Sequence, residues 1–340
     1  MKNQTHRFYI NKLLLIFSVT LFGFFAVAGA VEGNNDTAGK RNPVADFDGD
    51  GKSDISVFRP SDGYWYIAKS SGGYSSIRWG LATDTPVSGD YDGDGRADLA
   101  VFRRTPMGNF IINNAWYILR SSDNAFRAVT WVPNSPWYFY DHPVPADYDG
   151  DNKTDVAVFR QSDAIGDQAR FMALQSSTGS GTDVYWGISG WDKQVPADYD
   201  GDGKTDLAVY RGNVFATQIN TWFILQSSNG AVRVETFGLP TDRHLPADYD
   251  GDGRADIAVW RPSNGYWYRI NSSNNSFSAI QFGFSGDKPT PADYDGDGKT
   301  DVAVFRPSTG VWYLQRSTGG FAAQQFGLSD DIPIPNTFVR

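Results

Sequence analysis

Four aspartates within nine residues, repeated six times, are the chemistry this chain puts forward first. The pattern has Asp at positions 1, 3, 5 and 9: Asp46, Asp48, Asp50 and Asp54 in the first copy. The second has Asp90, Asp92, Asp94 and Asp98, the third Asp147, Asp149, Asp151 and Asp155. Asp198, Asp200, Asp202 and Asp206 make the fourth, and Asp248, Asp250, Asp252 and Asp256 the fifth. Asp293, Asp295, Asp297 and Asp301 make the sixth. Four carboxylates this close repel one another unless a cation sits among them. Hard oxygens at alternating positions suit calcium, which takes six to eight oxygen ligands at about 2.3–2.6 Å.

Position 7 would add a backbone carbonyl. It is basic in every copy (Lys52, Arg96, Lys153, Lys204, Arg254 and Lys299), which fits a side chain turned to solvent. Position 6 is glycine in five copies, as the tight turn requires, and Asn152 in the third; Asn tolerates a positive φ better than most residues. No His or Cys accompanies the loops, which disfavours zinc, and magnesium is smaller and less suited to such a loop. An EF-hand needs a bidentate Glu at position 12 between helices. Here that position holds Val57, Val101, Val158, Val209, Val259 or Val304, inside β-rich runs. The expectation is up to six structural Ca²⁺ ions in EF-hand-like loops of β-hairpins.

Composition narrows the function. The 340 residues carry a net charge of -9, and only Glu32 and Glu235 among the 39 acids are glutamate. A chain this size is long enough to bury a sizeable core. No basic stripe points to nucleic acid. There is no cysteine, so neither disulfides nor thiolate metal sites arise. No nucleophile elbow, phosphate loop or zinc signature is present, and most Asp residues are committed to the loops.

The start reads as an export signal over residues 1–30. Lys2, Arg7 and Lys12 precede an apolar run from Leu13 to Ala28, and Ala28-Gly29-Ala30 matches a small-x-small cleavage site. An uncleaved anchor is the alternative, since the run approaches spanning length. No other segment reads as a membrane span, so the expected location is secreted, extracellular or periplasmic. Residues 31–42 read as a short linker and 43–340 as one domain.

The elements that hold the loops repeat with them. In the last unit Pro289–Ala292 leads into the loop, and Asp301–Arg306 follows as a β-run. Turns at Pro307–Gly310 and Ser317–Gly320 bracket the runs Val311–Leu314 and Phe321–Phe326. Strand, turn, strand at this spacing predicts antiparallel hairpins. Six four-stranded units predict an all-β fold, a β-propeller, with an open solenoid as the alternative. The tail Pro333–Phe338 aligns on Pro289–Tyr294, with Thr337 in place of the first Asp. Such a lone strand would seal the ring against the first blade, giving six blades or a seventh incomplete one. The recurrent Trp65, Trp116, Trp222, Trp267 and Trp312 are expected in the core. The recurrent Arg59, Arg103, Arg160, Arg211, Arg261 and Arg306 are expected to be structural.

At these residues the chain resembles the FG-GAP and VCBS-type repeat proteins, whose best-known members are the propellers of integrin α subunits. The loops match, as do the aromatic–glycine pairs Trp79-Gly80, Trp186-Gly187, Phe237-Gly238, Phe282-Gly283 and Phe326-Gly327. The resemblance implies calcium loops joining the first two strands of each blade at one rim. The chain departs from the family at Phe58-Arg59-Pro60, Trp260-Arg261-Pro262 and Phe305-Arg306-Pro307, where Gly-Ala-Pro is common, so an integrin-like partner does not carry over. Some fungal lectins look similar in using calcium-bearing propellers for sugars.

Irregular insertions fall on the other rim. The separation from the repeated Arg to the next strand's aromatic is 6 residues in the first blade but 13 from Arg103 to Trp116. A long connection carries Trp137, Tyr140, Asp141 and His142, and the next one carries Trp191. Varied loops with aromatics make these five the candidate partner-binding residues. The expected function is a monomeric binding or adhesion module for an extracellular protein or glycan. A lectin, a polysaccharide lyase or hydrolase, and a structural envelope or matrix scaffold are the alternatives.

Overall fold

The computed structural model describes residues 44–107, 111–130, 139–212 and 220–334. They form six four-stranded antiparallel sheets. Blade 1 contains β1 (Ile55–Arg59), β2 (Tyr64–Ala68) and β3 (Tyr74–Arg78). Blade 2 is β4 (Thr85–Pro86), β5 (Leu99–Met107), β6 (Ile111–Leu119) and β7 (Phe126–Val129). Blade 3 is β8 (Phe139–Pro143), β9 (Val156–Ser162), β10 (Gln168–Leu174) and β11 (Gly181–Ile188). Blade 4 is β12 (Asp192–Gln194), β13 (Leu207–Arg211), β14 (Thr221–Leu225) and β15 (Val232–Thr236). Blade 5 is β16 (Arg243–His244), β17 (Ile257–Arg261), β18 (Tyr266–Ile270) and β19 (Phe277–Gln281). Blade 6 is β20 (Lys288–Pro289), β21 (Val302–Arg306), β22 (Val311–Arg316) and β23 (Gly320–Gln325).

The last strand, β24 (Ile332–Pro333), joins blade 1 as its innermost strand, pairing Val57 with Pro333 and Phe58 with Ile332. The ring therefore closes with six blades, as a propeller and not a solenoid, and no seventh blade is present among the described residues. The closing strand lies at the start of the expected tail, whose residues after 334 fall outside those described.

Burial explains the strand types. The second strand of each blade has a neighbouring blade on both faces, so its residues are apolar in succession rather than alternating: Ile55–Phe58 and Val302–Phe305 are all buried. The outermost strands are largely exposed, and Val232–Thr236 and Phe277–Gln281 alternate between exposed and half-buried residues. Each of six hydrophobic clusters lies between two adjacent blades. The five repeated tryptophans are fully buried there, and Phe171 takes their place in blade 3. Losing one such indole to Ala costs about 3–5 kcal/mol. The indoles of Trp65, Trp222, Trp267 and Trp312 donate to the carbonyls of Trp79, Phe237, Phe282 and Phe326, the aromatic members of the aromatic–glycine pairs. The partner glycine has a positive φ, and at Gly80 a Cβ would stand 2.9 Å from the Phe58 ring.

The repeated arginines latch each blade's inner strand. Arg103, Arg160, Arg211, Arg261 and Arg306 each grip, with two nitrogens, an Asp 19 residues earlier: Asp84, Asp141, Asp192, Asp242 and Asp287. In blade 1 the partner is Asp331, 272 residues later, at 2.8 and 2.9 Å. The Asp331 side chain is fully buried and that of Arg59 is 18% exposed. Removing one partner of such a pair costs about 3–5 kcal/mol. Asp331→Ala should lose about that much in urea unfolding. Asp123→Ala, in the exposed Arg120–Asp123 pair, should lose under about 1 kcal/mol. Equal small losses would show that the Asp331 pair is not what holds the ring shut.

Candidate metal centre

Each Asp loop is a tight turn stitched by its own carboxylates. In the first, Asp46 accepts from the amides of Gly49 and Gly51 at 2.6 and 2.9 Å. Asp54 is fully buried and accepts from the amides of Phe47 and Ser70 at 2.9 and 2.7 Å. Gly49 and Gly51 have φ of 79° and 85°, a region that glycine enters freely. Asn152 adopts φ 64° in the third loop, so it replaces glycine without changing the turn.

The turn brings ligand atoms together. Carboxylate oxygens of Asp46, Asp48 and Asp50 lie within 4.8 Å of one another, as do those of Asp90, Asp92 and Asp94. In the next three loops the same holds for positions 1, 3 and 9: Asp147, Asp149 and Asp155; Asp198, Asp200 and Asp206; Asp248, Asp250 and Asp256. These spacings suit oxygens sharing one ion whose ligands stand about 2.3–2.6 Å away. In the sixth loop Oδ1 of Asp295 is buried with no hydrogen-bond partner. The donor set and this orphaned oxygen both fit a hard divalent cation.

Burial of the acids adds to the case. It pushes the carboxyl groups of Asp54, Asp98, Asp155, Asp206 and Asp301 up to about 6, although backbone amides pull the other way. Asp46, Asp90, Asp147, Asp248 and Asp293 are also raised, by burial first and then by neighbouring carboxylates. A cation would relieve both effects.

A serine pair in the facing turn completes each site, and the sequence reading missed it. Ser70 Oγ donates to Asp50 and Ser71 Oγ to Asp48, at 2.8 and 2.5 Å. Ser121-Ser122, Ser176-Ser177, Ser227-Ser228, Ser272-Ser273 and Ser317-Thr318 repeat the contacts. The signal was present as a Ser-Ser or Ser-Thr dipeptide in every repeat.

The loops also touch one another. The amide of position 8 donates to the carbonyl of position 1 in the preceding blade: Ala97 to Asp46, Thr154 to Asp90, Thr205 to Asp147, Ala255 to Asp198 and Thr300 to Asp248. Ser53 to Asp293 closes this circle of six bonds, each 2.6–2.7 Å. The basic side chain at position 7 lies across the preceding loop's fourth-position glycine. Arg96 covers Gly49, Lys153 Gly93, Lys204 Gly150, Arg254 Gly201, Lys299 Gly251 and Lys52 Gly296. This corrects the expectation that these bases turn simply to solvent: Lys52, Lys153, Lys204 and Lys299 are half-buried, while Arg96 and Arg254 are exposed.

The opposite rim holds the other candidates. Tyr140 is 56% and Trp191 39% exposed. His142 is half-buried in β8. Asp141 is a correction: it is buried, gripped by Arg160 and bonded by the Asn114 amide, so its carboxylate serves the blade latch. Trp137 lies outside the described residues. His244 is buried against Tyr210 and beside the Asn220 amide. Burial there lowers its pKa to about 3 and keeps it neutral.

The FG-GAP-like repeat signature matches residues 46–101, 90–158 and 248–304, together half of the chain, and the protein belongs to that family. No curated protein matches it in sequence. Among solved structures it is similar to TolB from Acinetobacter baumannii, at 14% identity and TM-score 0.51, covering 83% of this chain and 66% of that one. Virginiamycin B lyase from Staphylococcus aureus is similar at 10% identity and TM-score 0.45, covering 86% and 87% of the two chains. AofleA from Arthrobotrys oligospora is similar at 11% identity and TM-score 0.47, covering 83% and 88%. Identities this low bear on the fold alone.

The raised carboxyl groups set a pH dependence with a definite sign. An acid whose folded pKa lies above its unfolded value contributes stability at low pH and loses it as pH rises through the folded value. For Asp54, Asp98, Asp155, Asp206 and Asp301 that window runs from about 4 to about 6. In chelator these groups should therefore cost stability between pH 4.5 and 7.5. Metal ions need the ionised form, so the rise in Tm on adding calcium should grow over the same interval. A calcium increment of equal size at both pH values would exclude the carboxylates as principal ligands.

Proposed function

We propose that this protein is a secreted, monomeric binding module in which calcium braces the ring and the opposite rim engages an extracellular protein or glycan. One observation carries the reading: the two rims differ in kind. The Asp loops keep the same stitching in blade after blade and are linked in a closed circle, which suits a role common to all of them. The opposite rim varies, with a long β5–β6 hairpin and exposed Tyr140 and Trp191 on adjacent blades. Specific recognition needs such differences, and aromatic rings supply stacking surface for a sugar or an anchor for a protein.

Calcium is the ion that the all-oxygen donor set supports best. Extracellular modules bind it at roughly 10⁻⁴–10⁻³ M, so at tenfold excess each independent site contributes about 1.4 kcal/mol. Six sites together contribute about 8 kcal/mol, comparable to the whole stability of a typical domain. Excess chelator should lower Tm sharply, and an unchanged melt would remove the calcium brace.

Recognition is tested with the double variant Tyr140→Ala, Trp191→Ala on glycan and extracellular-protein arrays in calcium. Capture should fall at least tenfold while the calcium-dependent melt stays as in the parent. Full capture by this variant, with loss in a folded variant of one Asp loop, would move the site to the metal rim. Turnover of a captured glycan would make the protein an enzyme instead.

A further inference from the structure

One residue beyond the latching Asp, the innermost strand of each blade has a residue at the same register, at the strand end away from the Asp loop. Around the six blades these are Ile332, Thr85, His142, Lys193, Arg243 and Lys288. Four are basic, they occupy four consecutive blades, and none is acidic, in a chain with nine more acids than bases. The neighbouring acids are already engaged: Asp141, Asp192, Asp242, Asp287 and Asp331 each hold a blade arginine.

Arg243 and Lys288 are half-buried and close enough to influence each other. Arg243 is half-buried, its guanidinium 5.6 Å from the centre of the Trp260 ring. Lys288 reaches into the next blade, where Nζ donates to the Asp331 carbonyl at 3.0 Å. Burial lowers the pKa of Arg243, and burial with the nearby Arg243 charge lowers that of Lys288 despite the neighbouring Asp331 and Asp330. Lys193 is exposed and close enough to His244 to depress its pKa. Arg104, one blade before His142, donates to the Asp141 carbonyl and is also lowered by burial. Among the described residues neither Arg243 nor Lys288 forms an ion pair within 4 Å, and half-buried cations of one sign attract anions.

The exposed aromatics stand beside this arc. Tyr140 precedes His142 by two residues in β8, and residues two apart in a strand share a face. Trp191 lies in the turn that leads into β12, two residues before Lys193. A flat apolar surface next to a cation matches a sugar ring that bears a carboxylate. On the reading that this rim is the binding face, we propose that its ligand is an acidic glycan, with Lys193, Arg243 and Lys288 receiving uronate carboxylates and Tyr140 and Trp191 stacking on the rings.

The test uses the whole protein at saturating calcium, with oligogalacturonate and neutral dextran as probes in titration calorimetry. The parent should bind the uronate and not dextran, and more weakly as salt rises. R243Q/K288Q should bind at least tenfold more weakly with its Tm retained, while R243K/K288R should restore most of the affinity. Unchanged uronate binding by R243Q/K288Q overturns the proposal and points to calcium bridging at the Asp loops. If R243Q/K288Q has a reduced Tm, K193Q replaces it in the comparison, and unchanged binding there has the same consequence. Should the parent bind only neutral glycans or proteins, with Tyr140 and Trp191 still required, the acidic-glycan proposal fails and the rim stands. Capture indifferent to both sets of variants sinks both.

Discussion

Like charges confined at short range are the constraint around which this ring is organised. Every blade presents Asp at four positions of one nine-residue turn, and several of these carboxylates are buried. Hydrogen bonds from glycine and serine amides hold the acids in place without neutralising them. The next loop supplies a base at position 7 and an amide at position 8, so each turn depends on its successor. A cation held in one loop would therefore act on a unit that touches both neighbours. Glycine at position 4 meets two demands: its φ is positive, and a Cβ there would meet the arriving Arg or Lys side chain.

The two rims solve opposite problems. On one, charge is concentrated and the geometry is uniform. On the other, each latching Asp is neutralised by its arginine, which also lies over an aromatic ring in most blades, as Arg59 does over Tyr66 at 4.2 Å. With the inner strands fixed in this way, the connections before and after them are free to differ. The uniform loop rim and the variable rim are separated along the length of the strands, so a change to one need not disturb the other.

Much of this was legible in the sequence because the relevant contacts are local. The Asp spacing, the positive-φ positions and the strand–turn–strand pattern lie within one repeat, and Asn152 adopts the conformation expected of it. The closing strand was readable because Ile332–Pro333 repeats the start of the other blades. What escaped were contacts between segments that periodicity alone cannot bring together. Ser70-Ser71 looks like any polar turn until folding places it over Asp48 and Asp50. Asp141 sits among exposed residues in the sequence, yet its partner Arg160 lies on the adjacent strand and draws it inside. The bases at position 7 reach the preceding blade, a relation with no signature inside a single repeat.

The two-residue strand at Ile332–Pro333 has a consequence in time as well as in space. Synthesis runs from the N-terminal side, so β1 emerges well over two hundred residues before its inner partner. Until then the backbone edge of blade 1 is open, and Arg59 lacks the Asp331 carboxylate that later holds it. An open edge strand is a template for pairing with another molecule. The first blade to be made is thus the last to be finished, and the interval between the two is when the nascent ring is most exposed to misassembly.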